Sequence, residues 1–405
     1  SWNSVSPQLQ AGDLVILREG TYTQTVTGNP NGEENNPIII MAYPGEKVVF
    51  DNAFISINLG SNSQYNVFDG LIVTNSDWSR GYNSAIRTSG NNITFRNIEA
   101  MHQEIGLKGM EGLHNILVEN SVFHDNPIEH GIYLGSRNVP NTNLTIRDSL
   151  MYRNGRNGFQ HNGRVTNLVL ENNILHSNKL AGISLLEGVS DSIFMNNLIF
   201  NNRKQGIIIN NYDDSQTSIL PYNQTGNLFI NNLIWIGKYN WDDGGIEPSD
   251  HTAILINDLT AADNYDLSGH TFRNNIFITY NGPVFLFEKA DYLDNTIVEN
   301  NVFYRNAGPD SIMRVAGSNY DLGIFENYVV NSGGSASSNF YVDSFSTLFE
   351  DVSITYFGNP ELFNFDHLPS SPAVDFGIQS GAPSEDLRGT IRTEIPDAGC
   401  YEQQP

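Results

Sequence analysis

The sequence predicts an all-β fold, a parallel β-solenoid of about ten rungs, from three observations. The 405 residues are 39% hydrophobic and only 16% charged, which is enough apolar material for a large core and too little charge for disorder. One short motif recurs along most of the chain. Between its copies the chain reads as short strands that alternate apolar and polar residues, so the repeated unit is a rung of strands and turns.

The recurring motif is a charged or apolar residue, then Asn or Asp, then a small polar residue, then an apolar run. Successive copies are 23, 28, 24, 24, 35, 43 and 26 residues apart, a period near 24 with insertions. Strands this short are stable only when the next rung covers their inward residues. Asparagines at one corner of successive rungs predict a ladder of side-chain amide hydrogen bonds, which is a structural role. The copies begin at Arg96, Glu119, Arg147, Glu171, Met195, Ile230, Arg273 and Glu299.

Both ends of the chain resemble one known superfamily. Residues 12–17 (GDLVIL) and 37–40 (PIII) resemble the opening of the right-handed parallel β-helix proteins of the pectate-lyase type. Residues 371–375 (SPAVD), 386–389 (DLRG) and 397–402 (DAGCYE) resemble the tail of many of its secreted members. The resemblance implies a single-stranded right-handed parallel β-helix that is carbohydrate-active. It does not select a reaction, because that superfamily contains lyases, glycosidases, uronate epimerases, esterases and phage adhesins.

The chain is predicted to form a single β-helix domain over 1–405. Residues 1–60 form an N-terminal cap and the first rungs, 61–345 the regular rungs, and 346–405 a tail that packs on the helix. The two long motif spacings predict inserted loops, and a solenoid tolerates such insertions at its binding face. The loops are expected at 210–224, 237–251 and 258–269.

Composition excludes several classes of protein. With 21 Lys+Arg against 45 Asp+Glu, the net charge of −24 would repel nucleic acid from most of the surface. No run of about 18 apolar residues predicts a membrane span. The single cysteine, Cys400, allows neither an intrachain disulfide nor a cysteine-based metal cluster. We therefore predict a secreted or cell-surface bacterial protein, extracellular or periplasmic, that is monomeric.

The charge is unevenly distributed along the chain. Residues 80–204 contain twelve basic and ten acidic residues, a net charge of +2, so the rest of the chain carries −26. An anionic ligand can approach such a stretch without repulsion. Arg153, Arg156 and Arg164 share one rung, and arginine forks match carboxylate or sulfate oxygens, which favours an acidic polysaccharide as the partner. The alternative is that these arginines pair with acidic residues of neighbouring rungs: Glu129, Glu171 and Glu187.

A column of outward-facing side chains is predicted within this stretch. Its members each follow a pair of glycine and an apolar residue and are 25, 27 and 24 residues apart, so they should stack at about 4.8 Å per rung. The members are Lys108, Tyr133, Gln160 and Ser184. Glu129 and His130 lie just before one of these glycines, Arg156 just before another, and His161 follows Gln160.

This strip contains the groups that β-elimination on a uronate requires: a partner for the carboxylate, a base for the C5 proton and an acid for the leaving oxygen. Arg156 or Gln160 would bind the carboxylate. Tyr133, His130 or Lys108 would take the C5 proton, and Tyr133 or a neighbour would protonate O4. Further substrate contacts are predicted for Glu129, Arg153, His161 and Arg164, although His161 could instead point into the core.

The inserted loops combine aromatic and acidic residues. Tyr212, Tyr239 and Trp241 could stack on sugar rings, or they could pin the loops to the solenoid. Carboxylates in these loops could bind Ca²⁺, the one cofactor that the sequence suggests, although their spacing matches no EF-hand loop. The proposed calcium ligands are Asp213, Asp214, Asp242 and Asp243.

The function favoured by these observations is a polysaccharide lyase acting on a uronate-containing glycan. One alternative is a glycoside hydrolase with a carboxylate pair. The others are a uronate C5-epimerase and a non-catalytic glycan-binding surface protein. The candidate carboxylates of the hydrolase alternative are Glu104, Glu129, Glu187, Asp213, Asp242, Asp243 and Asp250.

Overall fold

The computed structural model of the chain is built mainly from short parallel strands. It describes residues 5–28, 30–52, 54–77, 83–211, 222–237, 251–260, 265–351 and 364–403. Internal contacts group the chain into two compact units, Ser1–Val169 and Leu170–Pro405, and each is described by itself. The single-domain organisation stays a prediction.

The first unit has rungs of three strands, which stack as three parallel ladders. The first ladder is β1 (Leu14–Leu17), β4 (Ile38–Ala42), β7 (Gln64–Asp69), β10 (Asn91–Arg96) and β13 (His114–Glu119). The second ladder is β2 (Gly20–Tyr22), β5 (Val48–Asp51), β8 (Leu71–Thr74), β11 (Glu99–Met101), β14 (Val122–His124) and β16 (Leu150–Tyr152). The third ladder is β3 (Val26–Gly28), β6 (Ile57–Leu59), β9 (Ser84–Thr88) and β12 (Ile105–Gly109).

Two long strands, β15 (Ile132–Arg147) and β17 (Phe159–Glu171), run through the corner between the third and first ladders. The start of β15 pairs with β12 and its end pairs with β13. Inward residues alternate with outward ones along these strands, and the inward residues form the core. Phe68 and Phe95, for example, stack on successive rungs with ring centroids 5.5 Å apart.

The second unit repeats the three-ladder arrangement. Its first ladder is β21 (Ile193–Met195), β24 (Leu228–Ile230), β27 (Thr271–Arg273), β30 (Ile297–Glu299) and β34 (Ser335–Ser337). Its second ladder is β18 (Ile174–His176), β22 (Leu198–Phe200), β25 (Leu233–Ile236), β28 (Ile276–Thr279), β31 (Val302–Arg305) and β35 (Phe340–Tyr341). Its third ladder is β19 (Ile183–Leu186), β23 (Ile207–Asn211), β26 (Ile254–Asp258), β29 (Phe285–Phe287) and β32 (Met313–Val315).

Smaller elements complete both units. In the second unit they are β20 (Val189–Ser190), the antiparallel β33 (Ser318–Tyr320), helix α1 (Leu322–Asn331) and the hairpin of β36 (Phe349–Asp351) and β37 (Asn364–His367). Short 3₁₀ turns span Ser6–Gln8 in the first unit and Ala290–Leu293, Pro309–Ser311 and Phe345–Thr347 in the second. Asp321 begins α1 by accepting the Ile324 N–H at 2.8 Å. Within the described ranges, no helix has the length and apolar character needed to cross a lipid bilayer.

The Asn-Asn motif has two structural functions in the second unit. The first asparagine adopts left-handed backbone angles, as at Asn231 (φ 52°), which asparagine tolerates better than most residues. The second is buried, and its Nδ2 donates to the Oδ1 of the next rung at 2.9–3.1 Å. The predicted amide ladder is therefore confirmed. Its members are Asn173, Asn197, Asn232, Asn275, Asn301 and Asn339.

In the first unit, serine replaces asparagine at this corner. The Oγ of Ser121 accepts the Ile98 N–H at 3.0 Å, and the Oγ of Ser149 accepts the Ser121 N–H at 3.2 Å. A short amide ladder forms instead at the following corner, where Asn126 donates to Asn154 at 2.9 Å. The motif therefore varies along the sequence because serine in the first unit and asparagine in the second accept the equivalent backbone N–H.

The C-terminal segment packs on the asparagine corner of the second unit. Arg392 forms a buried ion pair with Glu402 at 3.0 Å and donates to the Asn196 side chain at 2.9 Å. Asn231 donates to the Asp397 carbonyl at 2.9 Å. These bonds pair buried polar groups of the tail with the asparagine corner.

Acid is expected to destabilise the protein through buried histidines such as His270. Burial lowers the pKa of His270 to about 4, below its ordinary value of 6.5. As the pH falls below 6.5, His270 binds a proton in the unfolded chain but not in the folded chain. Part of the free energy of unfolding is therefore lost between pH 6.5 and 4. From pH 7 to 5 this group alone should cost about 2 kcal/mol. Urea unfolding at both pH values measures the loss of unfolding free energy, which should be smaller by that amount in His270→Leu than in the wild type. The exposed His114→Leu is the control, and equal losses in all three proteins would contradict the expectation.

Candidate active site

A pocket of about 580 Å³ opens on the third ladder of the first unit, around β12 and β15. It brings together all five residues that the sequence predicts to be catalytic: Lys108, His130, Tyr133, Arg156 and Gln160. Glu129, predicted as a substrate contact, also lines it. The other lining residues are Glu104, Ile105, Gly109, Met110, Glu111, Gly135, Ser136 and Asn138.

The predicted column runs along this pocket. Strand register pairs Arg87 with Lys108 and Lys108 with Tyr133. The Ile132 N–H donates to the Gly158 carbonyl at 3.0 Å, which repeats the bond one rung earlier and places Gln160 beside Tyr133. Ser184, the fourth predicted member, belongs to the second unit, where it is buried.

A second column runs beside the first, four residues earlier in each rung. Its members are joined by backbone hydrogen bonds of 2.8–3.1 Å from one rung to the next. They are Asn83, Glu104, Glu129 and Arg156. Three successive rungs therefore each contribute one side chain from the turn and one from the strand to the pocket: Glu104 and Lys108, Glu129 and Tyr133, and Arg156 and Gln160.

Glycine is required between the two columns because neighbouring rungs approach closely there. A Cβ at Gly131 would lie 2.7 Å from the Gly158 carbonyl oxygen and 2.9 Å from the Asn154 amide nitrogen. Neither distance is compatible with a side chain, so the close approach depends on the missing Cβ. This explains the Gly-apolar pairs by which the sequence located the column.

His130 is buried, with 2% exposure, and both of its ring nitrogens are hydrogen-bonded. Nδ1 accepts the Asn157 N–H at 3.2 Å, so the proton is on Nε2, which lies 3.0 Å from Glu129 Oε2. Burial lowers the pKa of His130, which keeps the ring neutral at neutral pH. The ring also stacks on Tyr133 at 5.6 Å. His130 thus holds Glu129 and Tyr133 in position and lacks the free lone pair that its predicted role as base requires.

Glu129 connects His130 with Arg156. The hydrogen bond from His130 is the main cause that lowers the pKa of Glu129, and Arg156 Nε lies 3.5 Å away. Arg156 therefore makes one of the carboxylate pairs that the sequence left as an alternative. Its side chain is still 55% exposed, so the guanidinium keeps donors for a ligand.

Tyr133 and its column neighbours present three different polar groups. Asn157 Nδ2 donates to Gln160 Oε1 at 2.8 Å, which leaves the Gln160 amide N–H groups as donors. Lys108 Nζ lies 5.8 Å from the centre of the Tyr133 ring. An amide donor, a phenol and an ammonium group therefore succeed one another along the pocket.

The three arginines of the predicted cluster do not converge. Arg153 lies at the end of the second ladder, 2.9 Å from Asp125, outside the pocket. Arg164 donates to the Asn138 carbonyl at 2.7 Å. His161 is fully buried, hydrogen-bonded to the Asn141 side chain at 3.2 Å, and burial lowers its pKa to about 3. A side chain inside the core cannot touch a polysaccharide, so the predicted substrate contact of His161 is wrong.

Sequence reasoning missed two features. Arg87 precedes Lys108 in the column but follows Ala85-Ile86 rather than a glycine, so the Gly-apolar signal did not find it. On the second ladder, His124 lies between two carboxylates, 2.7 Å from Asp125 and 3.3 Å from Glu99. The His-Asp dipeptide directly after a motif was the available signal for that cluster.

The loop candidates cannot be placed. They lie outside the described residues: Tyr212, Asp213, Asp214, Tyr239, Trp241, Asp242 and Asp243. Among the residues that are described, no three or more His, Cys, Asp or Glu side chains are grouped so that they could hold a metal ion.

Comparison with known proteins supports the predicted fold. Residues 33–199 match a family model described as a right-handed β-helix region. The structure of pectate lyase Pel9A aligns with a TM-score of 0.62 and 18% identity, covering 100% of this chain and 91% of that one. None of the curated protein sequences matches this chain significantly.

Other similar structures carry different activities on the same fold. The mannuronan C-5 epimerase AlgE6 A-module of Azotobacter vinelandii aligns with a TM-score of 0.55 and 14% identity, covering 82% of this chain and 91% of that one. The lacto-N-biosidase of Eubacterium ramulus aligns with a TM-score of 0.57 and 13% identity, covering 84% and 64% respectively. At these identities the likeness establishes the right-handed parallel β-helix fold alone.

Proposed function

We propose that the protein is a polysaccharide lyase that cleaves a uronate-containing glycan by β-elimination in the pocket of the first unit. The observation that carries the proposal is the column of Lys108, Tyr133 and Gln160 beside Arg156 in one pocket. The pectate lyase among the similar structures supports a carbohydrate as the substrate class. The secreted location and the acidic glycan remain part of the same proposal.

In the proposed reaction, Arg156 and the Gln160 amide donate to the uronate carboxylate. Their donors withdraw negative charge from the carboxylate and so make the C5 proton more acidic. Tyr133 is the proton-transfer group, because His130 has both nitrogens engaged. Its phenolate oxygen takes the C5 proton, the C5 electron pair forms the C4–C5 double bond, and the C4–O4 bond breaks. The phenol proton then passes to O4 of the leaving sugar.

The decisive experiment is a product analysis. We expect polygalacturonate, alginate or chondroitin sulfate to yield a 4,5-unsaturated uronate, seen as ultraviolet absorbance and as a product mass one water below the hydrolytic product. Assays should cover a range of pH, with and without added Ca²⁺. Saturated products, or no product from any of the three polymers, would overturn the lyase proposal.

One observation favours a glycoside hydrolase as the second candidate. Glu104 and Glu129 occupy the same position of successive rungs in the pocket, joined by a 3.1 Å backbone hydrogen bond. The rung spacing of about 4.8 Å is close to the carboxyl separation of roughly 5–5.5 Å in retaining glycosidases. Saturated reducing ends that disappear in Glu104→Gln would select this function. The lyase is preferred because Glu129 is already engaged by both His130 and Arg156.

A further inference from the structure

Two basic side chains of the column lack the partner that neighbouring arginines have. In the first unit, four arginines on or beside the pocket rungs lie 2.6–3.5 Å from a carboxylate oxygen. Arg87 and Lys108 form no such ion pair with any residue in the described ranges. The paired arginines are Arg96 with Asp69, Arg147 with Glu119, Arg153 with Asp125 and Arg156 with Glu129.

The two unpaired cations are direct neighbours. Register pairs Arg87 of β9 with Lys108 of β12, so their backbones are about 4.8 Å apart on successive rungs. The residues on either side of each in its strand are buried, whereas Arg87 and Lys108 are half-buried. Both side chains therefore belong to the outer face, on which Lys108 and then Tyr133 line the pocket.

Two like charges placed side by side in a sheet repel each other and cost stability. An anion between the two groups would relieve that cost, because it would replace the repulsion with two charge-assisted hydrogen bonds. The whole chain, with a net charge of −24, repels anions, so the attraction of an anion to this pair acts only at short range.

Glu104, a member of the second column, opposes this attraction. It lines the same pocket and forms no ion pair with any of the described residues. Because the Glu104 carboxylate lies in this pocket, removing its negative charge should strengthen the binding of an anion. Glu104 thus provides a variant whose effect has the opposite sign.

We infer that Arg87 and Lys108 form a subsite for one acidic group of the glycan, on the sugar next to the one that reacts at Tyr133. The inference rests on the proposed function for the identity of the polymer. The acidic group is a carboxylate or a sulfate, because either one can accept hydrogen bonds from two neighbouring cations. Arg156 and Gln160 would then serve the reacting sugar, and Arg87 with Lys108 its neighbour along the column.

The test is binding rather than turnover. Affinity electrophoresis should compare the wild type with the double variant Arg87→Gln/Lys108→Gln on four polymers: polygalacturonate, alginate, dextran sulfate and uncharged dextran. We expect the dissociation constant of the double variant to rise at least tenfold for an acidic polymer that the wild type binds. Polygalacturonate and alginate test a carboxylate, whereas dextran sulfate against dextran tests a sulfate. Salt should weaken wild-type binding more than binding by the variant.

Two control variants accompany this measurement. Arg147→Gln removes a half-exposed arginine that is paired with Glu119, and its binding should stay within twofold of the wild type. Glu104→Gln should bind acidic polymers more tightly. Thermal unfolding checks that every variant is folded.

Equal affinity of the folded double variant and the wild type for the acidic polymers would overturn the subsite, as would a wild type that binds none of them. The lyase proposal fails separately. If acidic polymers bind through Arg87 and Lys108 and no unsaturated product forms, the subsite stands and the reaction is not β-elimination.

Discussion

Replacing Tyr133 with Phe is expected to lower kcat/KM for unsaturated product by about 10²–10⁴-fold, the usual contribution of a positioned proton-transfer group. Phenylalanine keeps the ring that stacks on His130 at 5.6 Å, and it removes only the hydroxyl. Substrate affinity and thermal stability should therefore change little. Initial rates followed by absorbance, together with a melting curve, measure both quantities.

The matched control for this variant is Tyr152→Phe. Tyr152 ends β16 on the second ladder of the same unit, outside the pocket, and stacks on His124. Its replacement should leave the rate within about twofold of the wild type, because surface changes away from a site have small effects. A Tyr133→Phe enzyme with near wild-type activity would remove Tyr133 from the reaction and return the role of base to Lys108.

Asn232→Ala is expected to lower the free energy of unfolding by about 3–5 kcal/mol, because buried groups left without partners cost about 1–3 kcal/mol each. The Asn232 side chain makes four hydrogen bonds of 2.8–3.0 Å. It accepts from the backbone and side-chain nitrogens of Asn197, and it donates to Phe194 O and Asn275 Oδ1. Alanine removes all four. Urea denaturation followed by circular dichroism measures the loss.

Asn327→Ala provides the comparison for the ladder variant. Asn327 is exposed on α1 and bonds only within its own helix, to the Gly323 carbonyl. Alanine is the better helix former, so stability should stay within about 0.5 kcal/mol of the wild type. A loss below about 1 kcal/mol in Asn232→Ala would mean that water replaces the amide in the ladder.

Much of the fold follows from local sequence rules. The motif copies locate the corners of the rungs, because a left-handed residue such as Asn231 and a buried ladder residue such as Asn232 must follow one another at each corner. The Gly-apolar pairs likewise locate the third ladder, since Gly131 leaves no room for a Cβ. Both rules depend on residues within one rung and its direct neighbour. Register between rungs could therefore be predicted without a structure.

The candidate site was only partly predictable. Spacing along the chain placed Lys108, Tyr133 and Gln160 in one column, which strand register and a backbone hydrogen bond reproduce. The same spacing, with Gln160 outward, favours an inward His161 by strand alternation, and the structure buries it. Spacing could not show that Arg153 turns toward Asp125 on another ladder.

By itself the sequence determined the periodic features of the protein. These are the parallel β-helix, its asparagine corners and the stacking of a lysine, a tyrosine and a glutamine on successive rungs. Only the tertiary structure decided which charges remain unpaired, because ion pairs form between rungs through side chains whose directions spacing does not specify. Glu129 engages His130 and Arg156, whereas Arg87 and Lys108 stay without a carboxylate among the described residues. In the described part of residues 80–204, whose net sequence charge is +2, Arg87 and Lys108 are therefore adjacent cations that form no ion pair. The net charge is a sum over residues, but attraction for a ligand depends on where the unpaired charges lie.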